Sequence, residues 1–394
     1  MTAVQVADRL GVELATVYAY ASRGSLTRHP GPDGRSSRYD PDEVELLAQR
    51  SRPRSIRRGI GAVDVVIGTT VSEIGDGWIR YRNHDLAELA GSASFETVAS
   101  LLWTGELMDP DELSAPQPLV RARVIDAVGR ATRALPKNAA ISSRLAVGAA
   151  AAAPWLPAVA DDADPTKVGL LLLDALVESL PLIGSAPAGK TATLAARLWP
   201  RISGRAATAR RVAALDLALV MLAEHELATS TLAVRVAAST GAAPAASVLA
   251  GIGAVSGPLH GQAAVRVHDR LLAGPNVGAE ILAEDGPVSG FGHPVHLHGD
   301  PRFAVLHEAV LAIAQPAYRA RIEDDLIEAK RWDASFPNVD TALGALGFVA
   351  AVPSGITEAI FAISRTAGWL AHAFEEADEA PLRFRGRTVY RGAR

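Results

Sequence analysis

Apolar residues recur at helical spacing along most of this chain. Behind Ser94, a residue suited to cap a helix start, Val98, Leu101, Leu102 and Trp103 fall on one face. The same period runs through residues 120–134, 139–153, 166–180 and 207–224, and helical patterning continues nearly to the C-terminus. Proline and glycine at 181–189 separate two of these helices. Two stretches depart from the pattern. Residues 65–71 are rich in β-branched side chains and residues 79–82 alternate, so each predicts a short strand. The expected fold class is all-α. No run of glycine-rich strand–helix units occurs, which leaves a dinucleotide-binding or P-loop fold without footing, and no internal repeat is visible.

The first fifty residues have a pattern of their own. Thr2 can cap a helix carrying Val6, Ala7 and Leu10; Gly11 breaks it, and a second helix spans residues 13–22. Residues 24–39 are turn-rich and basic, with Arg28, Arg35 and Arg38, and Asp40-Pro41 opens a third helix. Ala7, Gly11 and Val17 fit the contact, turn and core positions of a helix-turn-helix. The stretch resembles MerR-like helix-turn-helix domains followed by a wing. The resemblance implies a DNA partner, with Thr16, Tyr20 and Arg23 at the groove and Arg35 and Arg38 at phosphates. The competing reading is a helical pair for internal docking with solvated arginines. Residues 51–60, rich in arginine with proline and serine, read as a basic linker.

Composition narrows the class. A chain of 394 residues predicts two or three domains, and 49% hydrophobic content allows large buried cores. A net charge of -4 gives no global drive toward nucleic acid, so any DNA-binding surface must be local. With 0 cysteines, disulfides, thiol nucleophiles and cysteine-bound zinc are excluded. The N-terminus lacks an apolar signal core and no apolar run is long enough to cross a bilayer, so a soluble cytoplasmic protein is expected, with no membrane partner.

Two stretches carry candidate chemistry. One reads Ser256-Gly257-Pro258-Leu259-His260-Gly261. The other reads Gly290-Phe291-Gly292-His293-Pro294-Val295 and is followed by Asp300-Pro301-Arg302. Histidine exchanges protons near neutral pH, glycine admits close approach of a ligand, and arginine suits an anion. Acid/base work on an anionic substrate and a pair of satisfied loop histidines are both open readings of these residues alone.

Further motifs, in order, resemble citrate synthases from about residue 62 to the C-terminus. Arg80-Tyr81-Arg82 resembles the family's “RYRGYD”, Ser94-Phe95-Glu96 its “ASFEEV”, and His225-Glu226 with Ser230-Thr231 its “HExNAST”. The His260 and His293 loops resemble the first and second catalytic loops, and Pro337-Asn338-Val339-Asp340 the third. Phe361 to Trp369 follows, and Arg385-Gly386-Arg387 with Tyr390 and Gly392 resembles “RPRxxYxG”. The resemblance implies condensation of acetyl-CoA with oxaloacetate, no permanent cofactor and no metal. Asp340 would be the base, His260 would stabilise the enol, and His293 would polarise the oxaloacetate carbonyl. His225, Arg302, Arg365 and Arg385 would hold the dicarboxylate, with Arg385 supplied across a homodimer. It implies a large domain of residues 61–261 and 347–394 and a small domain of 262–346. 2-Methylcitrate synthesis from propionyl-CoA, and a DNA-binding regulator sensing a dicarboxylate or acyl-CoA, are the alternatives.

The bland roles are packing for His225, an ion pair for Arg365, a helix cap for Asp340 and a basic tail for Arg385. His268, His296 and His298 are expected at the surface or in loops. The chain also departs from the family pattern. Ala228 stands for the usual asparagine, Pro294 for an arginine, His296 and His298 where a lysine is common, Gly386 for a proline, and Thr341-Ala342-Leu343 for an aromatic-Tyr-Ser run.

Overall fold

The computed structural model describes residues 1–10, 12, 14–22, 26–30, 37–40, 43–44, 65–75, 77–109, 113, 116–160, 164–185, 193–274, 277–278, 288–332 and 334–386. The chain divides into two compact units, Met1–Thr69 and Thr70–Arg394.

In the first unit the helix Ala3–Leu10 starts with a reciprocal capping box. The Gln5 N–H donates to Thr2 Oγ1 at 3.2 Å while the Thr2 N–H donates to Gln5 Oε1 at 2.8 Å. The second helix is Leu14–Ser22. Strands β1 (Arg28–Pro30) and β2 (Ser37–Tyr39) form an antiparallel ribbon in which His29 faces Arg38. Val6, Val17, Leu26, Tyr39 and Val44 make the small core. Thr16 is half-buried and Arg38 exposed. Tyr20 packs on the core, whereas Tyr18 is 47% exposed. Arg23, Arg35, the start of the third helix at Pro41 and the basic linker lie outside the described residues.

The second unit opens with a three-stranded antiparallel sheet: β3 (Ser72–Gly75), β4 (Trp78–Tyr81) and β5 (His84–Asp85). The first strand lies later than the β-branched stretch predicts. The hairpin pairs Ser72 with Tyr81 and Gly75 with Trp78, so pairing begins at Ser72; residues 65–69 have no strand partner and run as coil. Helices follow close to expectation at Phe95–Thr104, Pro118–Arg133, Ile141–Ala152, Pro165–Glu178 and Ala209–Leu222. Ser94 caps the first of these by accepting the Thr97 N–H at 3.2 Å.

One helix anchors the unit. Ile356–Ala377 is buried along most of its length and packs on Thr229–Ala238, Pro244–Val255, Ala209–Leu222 and Phe95–Thr104. It is buried on nearly all faces, and its buried polar residues, Arg365, His372 and Glu376 among them, meet partners on neighbouring elements. A second packed set joins Ala263–Ala273 and Pro301–Ile313 to Val339–Ala350. Among the described residues, no helix is long and apolar enough to cross a membrane.

Candidate active site

The His260 loop follows the helix Pro244–Val255. The chain turns back so tightly that the Gly261 N–H reaches the Val255 carbonyl at 3.0 Å. A Cβ at Gly261 would stand 2.3 Å from that oxygen, so only glycine fits. The His260 ring is half-buried and its Nε2 lies 2.8 Å from Ser230 Oγ. The Ser230 main-chain N–H also donates to Nε2, at 3.3 Å, and Trp369 Nε1–H donates to Ser230 Oγ at 3.2 Å. Nε2 is therefore an acceptor, and the proton of the neutral ring sits on Nδ1.

The second loop is stitched to the third. The Gly290 carbonyl accepts from the Asn338 N–H at 2.8 Å and from Thr341 Oγ1 at 2.5 Å. Asn338 Nδ2 donates to the Gly292 carbonyl at 2.7 Å, and the Gly292 N–H to Phe336 O at 2.7 Å. Gly290 has φ +87°, and a Cβ there would meet Thr341 Oγ1 at 2.5 Å. His293 and Asp340 are fixed to one scaffold by these bonds. His293 Nδ1 accepts the N–H groups of Val295 and His296 at 3.1 and 3.2 Å, so its proton sits on Nε2.

Asp340 occupies the first turn of Val339–Ala350 but does not cap it. Asn338 does, accepting the Asp340 N–H at 2.9 Å. The Asp340 carboxyl is raised to about 6, because burial outweighs the pull of Arg302 and Arg365, and Asp300 adds to the rise. Burial, with Arg302 next, lowers His293 to about 3. Burial, with Arg365 next, lowers His260 to about 4. His225 is held well below its usual range by burial and then by Arg302. At neutral pH the site thus offers the Asp340 carboxylate and neutral imidazoles, beside the Asp300 carboxylate held on Arg302.

His225 follows Ala209–Leu222, with its ring centroid 4.9 Å from His293 and 5.2 Å from His296. Arg302 begins Pro301–Ile313. Its Nε and Nη2 each donate to the Asp300 carboxylate at 2.9 Å. Arg302 keeps its charge because Asp300 more than offsets the burial that opposes it. Arg365 donates Nε–H to the Leu222 carbonyl at 2.8 Å, and its guanidinium lies 4.7 Å from the Phe361 ring centroid. Among the described residues no carboxylate forms an ion pair with Arg365, so the sequence's ion-pair reading does not describe it.

The structure thus brings together His225, His293, Arg302, Arg365 and Asp340, with His260 beside Arg365 across Phe361. Arg385 is exposed and makes no hydrogen bond or ion pair with the described residues. Arg387, Tyr390 and Gly392 lie outside them.

His268, expected at the surface or in a loop, instead lies on a helix at 0% exposure; His296 is in a loop as expected, but is only 1% exposed. His268 lies on Ala263–Ala273 against the inner helices, and His296 is drawn under the loop by His225. His298 is exposed, as expected. The sequence motifs assign no role to Ser230, Asp300 or Tyr81. Tyr81 is buried and donates to the Glu224 carbonyl at 2.9 Å beside His225. Asp300 was legible as an Asp-Pro helix start; the contacts of Tyr81 and Ser230 span 143 and 30 residues and had no local signal.

Residues 58–387 match the sequence model of the family described as citrate synthase, C-terminal domain. The chain belongs to the citrate synthase family. A curated relative, “Putative citrate synthase 2” of Mycobacterium tuberculosis (strain H37Rv), is 37% identical over 196 residues, which is 47% of this chain and 52% of the relative. The chain thus spans about half the length of that relative in the match. The 2-methylcitrate synthase of Mycobacterium tuberculosis (strain H37Rv) is 29% identical over 349 residues, covering 82% of this chain and 87% of its own. Among solved structures, the ternary complex of citrate synthase from Thermoplasma acidophilum with carboxymethyl coenzyme A and oxaloacetate superposes with a TM-score of 0.65. It is 22% identical and covers 84% of this chain and 94% of its own. The fold of the chain is that of this family.

Proposed function

We propose that the chain condenses an acyl-CoA with oxaloacetate, acetyl-CoA giving citrate and free CoA, in the manner of its family. The observation that carries this reading is the pairing of a raised carboxyl, Asp340, with two neutral histidines whose protons are pinned. In the proposed reaction Asp340 removes an α-proton from the thioester. His260 Nδ1–H donates to the thioester oxygen as the enol forms, and the enol carbon attacks the ketone of oxaloacetate. His293 Nε2–H donates to that ketone oxygen as it becomes a hydroxyl. Water then cleaves the thioester of the adduct, giving citrate and CoA. Arg302, Arg365 and His225 hold the dicarboxylate. Because Asp300 occupies the Nε–Nη2 edge of Arg302, the substrate meets its Nη1 end.

The division into a large domain of 61–261 and 347–394 and a small domain of 262–346 belongs to the same proposal, as does action in the cytoplasm. Arg385 joins the site from the second subunit of a homodimer, which fits its exposure and its lack of a hydrogen-bond or ion-pair partner among the described residues. No permanent cofactor is required. Thiol release from acetyl-CoA and from propionyl-CoA, each with oxaloacetate, tests the reaction and its acyl preference. Turnover with either supports it, and the ratio of kcat/KM values separates citrate from 2-methylcitrate synthesis; no turnover with both defeats it.

A second activity is favoured by the separate N-terminal unit, with its helix pair and antiparallel ribbon carrying exposed Arg38. This unit is proposed to bind DNA, with Thr16, Tyr20 and Arg23 toward bases and Arg35 and Arg38 on phosphates. A gel shift that weakens steeply with salt and disappears on removal of residues 1–60 is expected. A shift that survives the truncation refutes this assignment.

A further inference from the structure

We infer that His296 is a positioning residue of the dicarboxylate pocket, fixing where the protons sit on both His225 and His293. Its Nε2 lies 3.0 Å from Nε2 of His225, and this gap holds one proton. The Asp300 carboxylate stands 4.0 Å from the same His296 nitrogen, and the side chains of His296 and Asp300 are 0% exposed. A lone pair on that nitrogen would face an anion in a water-poor setting, whereas an N–H there is attracted to it. His296 is therefore the donor, His225 Nε2 the acceptor, and the His225 proton lies on Nδ1. The main-chain N–H of His296, with that of Val295, leaves the His293 proton on Nε2. The surrounding charges keep both rings neutral: Arg302 and Arg365 act on His225 and His293 against protonation, and Asp300 opposes them at His293.

The three rings also offer nitrogens within 4.8 Å of one another, a spacing that could suit a metal ion. The hydrogen bonds argue for proton placement instead. A metal on His293 Nε2 would require a proton on Nδ1, directly against two main-chain N–H donors. The dicarboxylate grip is thus preset by one residue that touches both histidines, through its ring and through its backbone.

The catalytic consequence rests on the proposed condensation; the proton positions do not. The test combines NMR of the full chain carrying ring-15N histidine with steady-state kinetics. In wild type, His225 is expected as the neutral Nδ1–H form and His293 as the neutral Nε2–H form. His296→Phe keeps a ring and the main-chain N–H but removes the side-chain donor. It is expected to move His225 toward the Nε2–H form, leave His293 unchanged, and raise KM for oxaloacetate about tenfold with kcat little altered. His296→Gln, whose amide nitrogen reaches the Nε2 position, is expected to recover most of both signals. A packing role alone predicts the reverse order, with Phe behaving as wild type and Gln damaged, and that order overturns the inference. So does an Nε2–H form of His225 in wild type, a reading that stands even if the Phe variant does not fold. If the protein shows the assigned proton forms but turns over no acyl-CoA, the condensation fails and the positioning stands.

Discussion

Two buried arginines, one on the helix Ile356–Ala377 and one packed against it, meet different surroundings. Near its middle, Arg365 is 2% exposed and is met by a main-chain carbonyl and an aromatic face. Toward its C-terminal end, Arg235 of the neighbouring helix is 0% exposed. It donates to Glu376 at 2.8 Å and to Glu375 at 2.7 Å, and lies 2.7 Å from His372 Nδ1. Arg383 adds a second cation on Glu376, and His372 Nε2 lies 3.1 Å from Glu224. Among the described residues the first arginine has no carboxylate in direct contact, and the second is ion-paired to two glutamates. A buried guanidinium is costly without an anion, so the first arrangement is reasonable where a ligand supplies one and the second where structure alone is served.

The sharpest way to break this contrast is to remove each arginine in turn. Arg365→Ala is expected to lower kcat/KM for oxaloacetate by about a thousandfold, since it removes a charged contact in a desolvated site. Its thermal midpoint should stay level or rise, because a buried charge disappears. Arg235→Met should do the opposite. It removes the buried cation from Glu375 and one of the two from Glu376, where Arg383 remains, and is expected to cost about 3 kcal/mol in urea unfolding. At temperatures where it stays folded, kcat should be close to wild type. If both variants lose the same property, the two regions are not functionally distinct. Smaller in expected effect is Arg385→Gln, predicted to weaken oxaloacetate use about tenfold. Co-refolding it with Asp340→Asn subunits should restore part of the activity, because one shared site would then carry both native groups. No recovery in the mixed dimers counts against a shared site.

The helical plan was legible because apolar positions repeat at the period of the packed faces, as in Phe95–Thr104 and Ala209–Leu222. The strand near residue 70 was misplaced because β-branching marks a preference while a partner decides pairing, and the partner Tyr81 faces Ser72. His225, His260, His293, Asp340, Arg302 and Arg365 were readable from ordered motifs, and their meeting in space bears on five separate stretches at once. The tautomers were not readable. They depend on main-chain N–H groups aimed at ring nitrogens and on Ser230, 30 residues from His260 in sequence. His296 shows the limit best: the sequence puts it at the surface or in a loop, and its burial involves a contact with a residue 71 positions away. Thr341, a departure from the family pattern, and Asn338, a member of the third motif, together tie the His293 loop to Asp340.

The central claim is that Asp340 is the base of a condensation run by neutral histidines. The direct measurement is kcat/KM for acyl-CoA, with oxaloacetate saturating, from pH 5 to 8 in wild type and in Asp340→Asn. The base must be ionised, and its carboxyl is raised to about 6, so wild-type activity should climb with pH and level off above that value. His260 and His293, lowered to about 4 and about 3, stay neutral across the range and add no second limb. The Asn variant should be lower by about a thousandfold and flat with pH. An Asn variant with near-wild-type rates, or one that keeps the same rise near pH 6, contradicts the account.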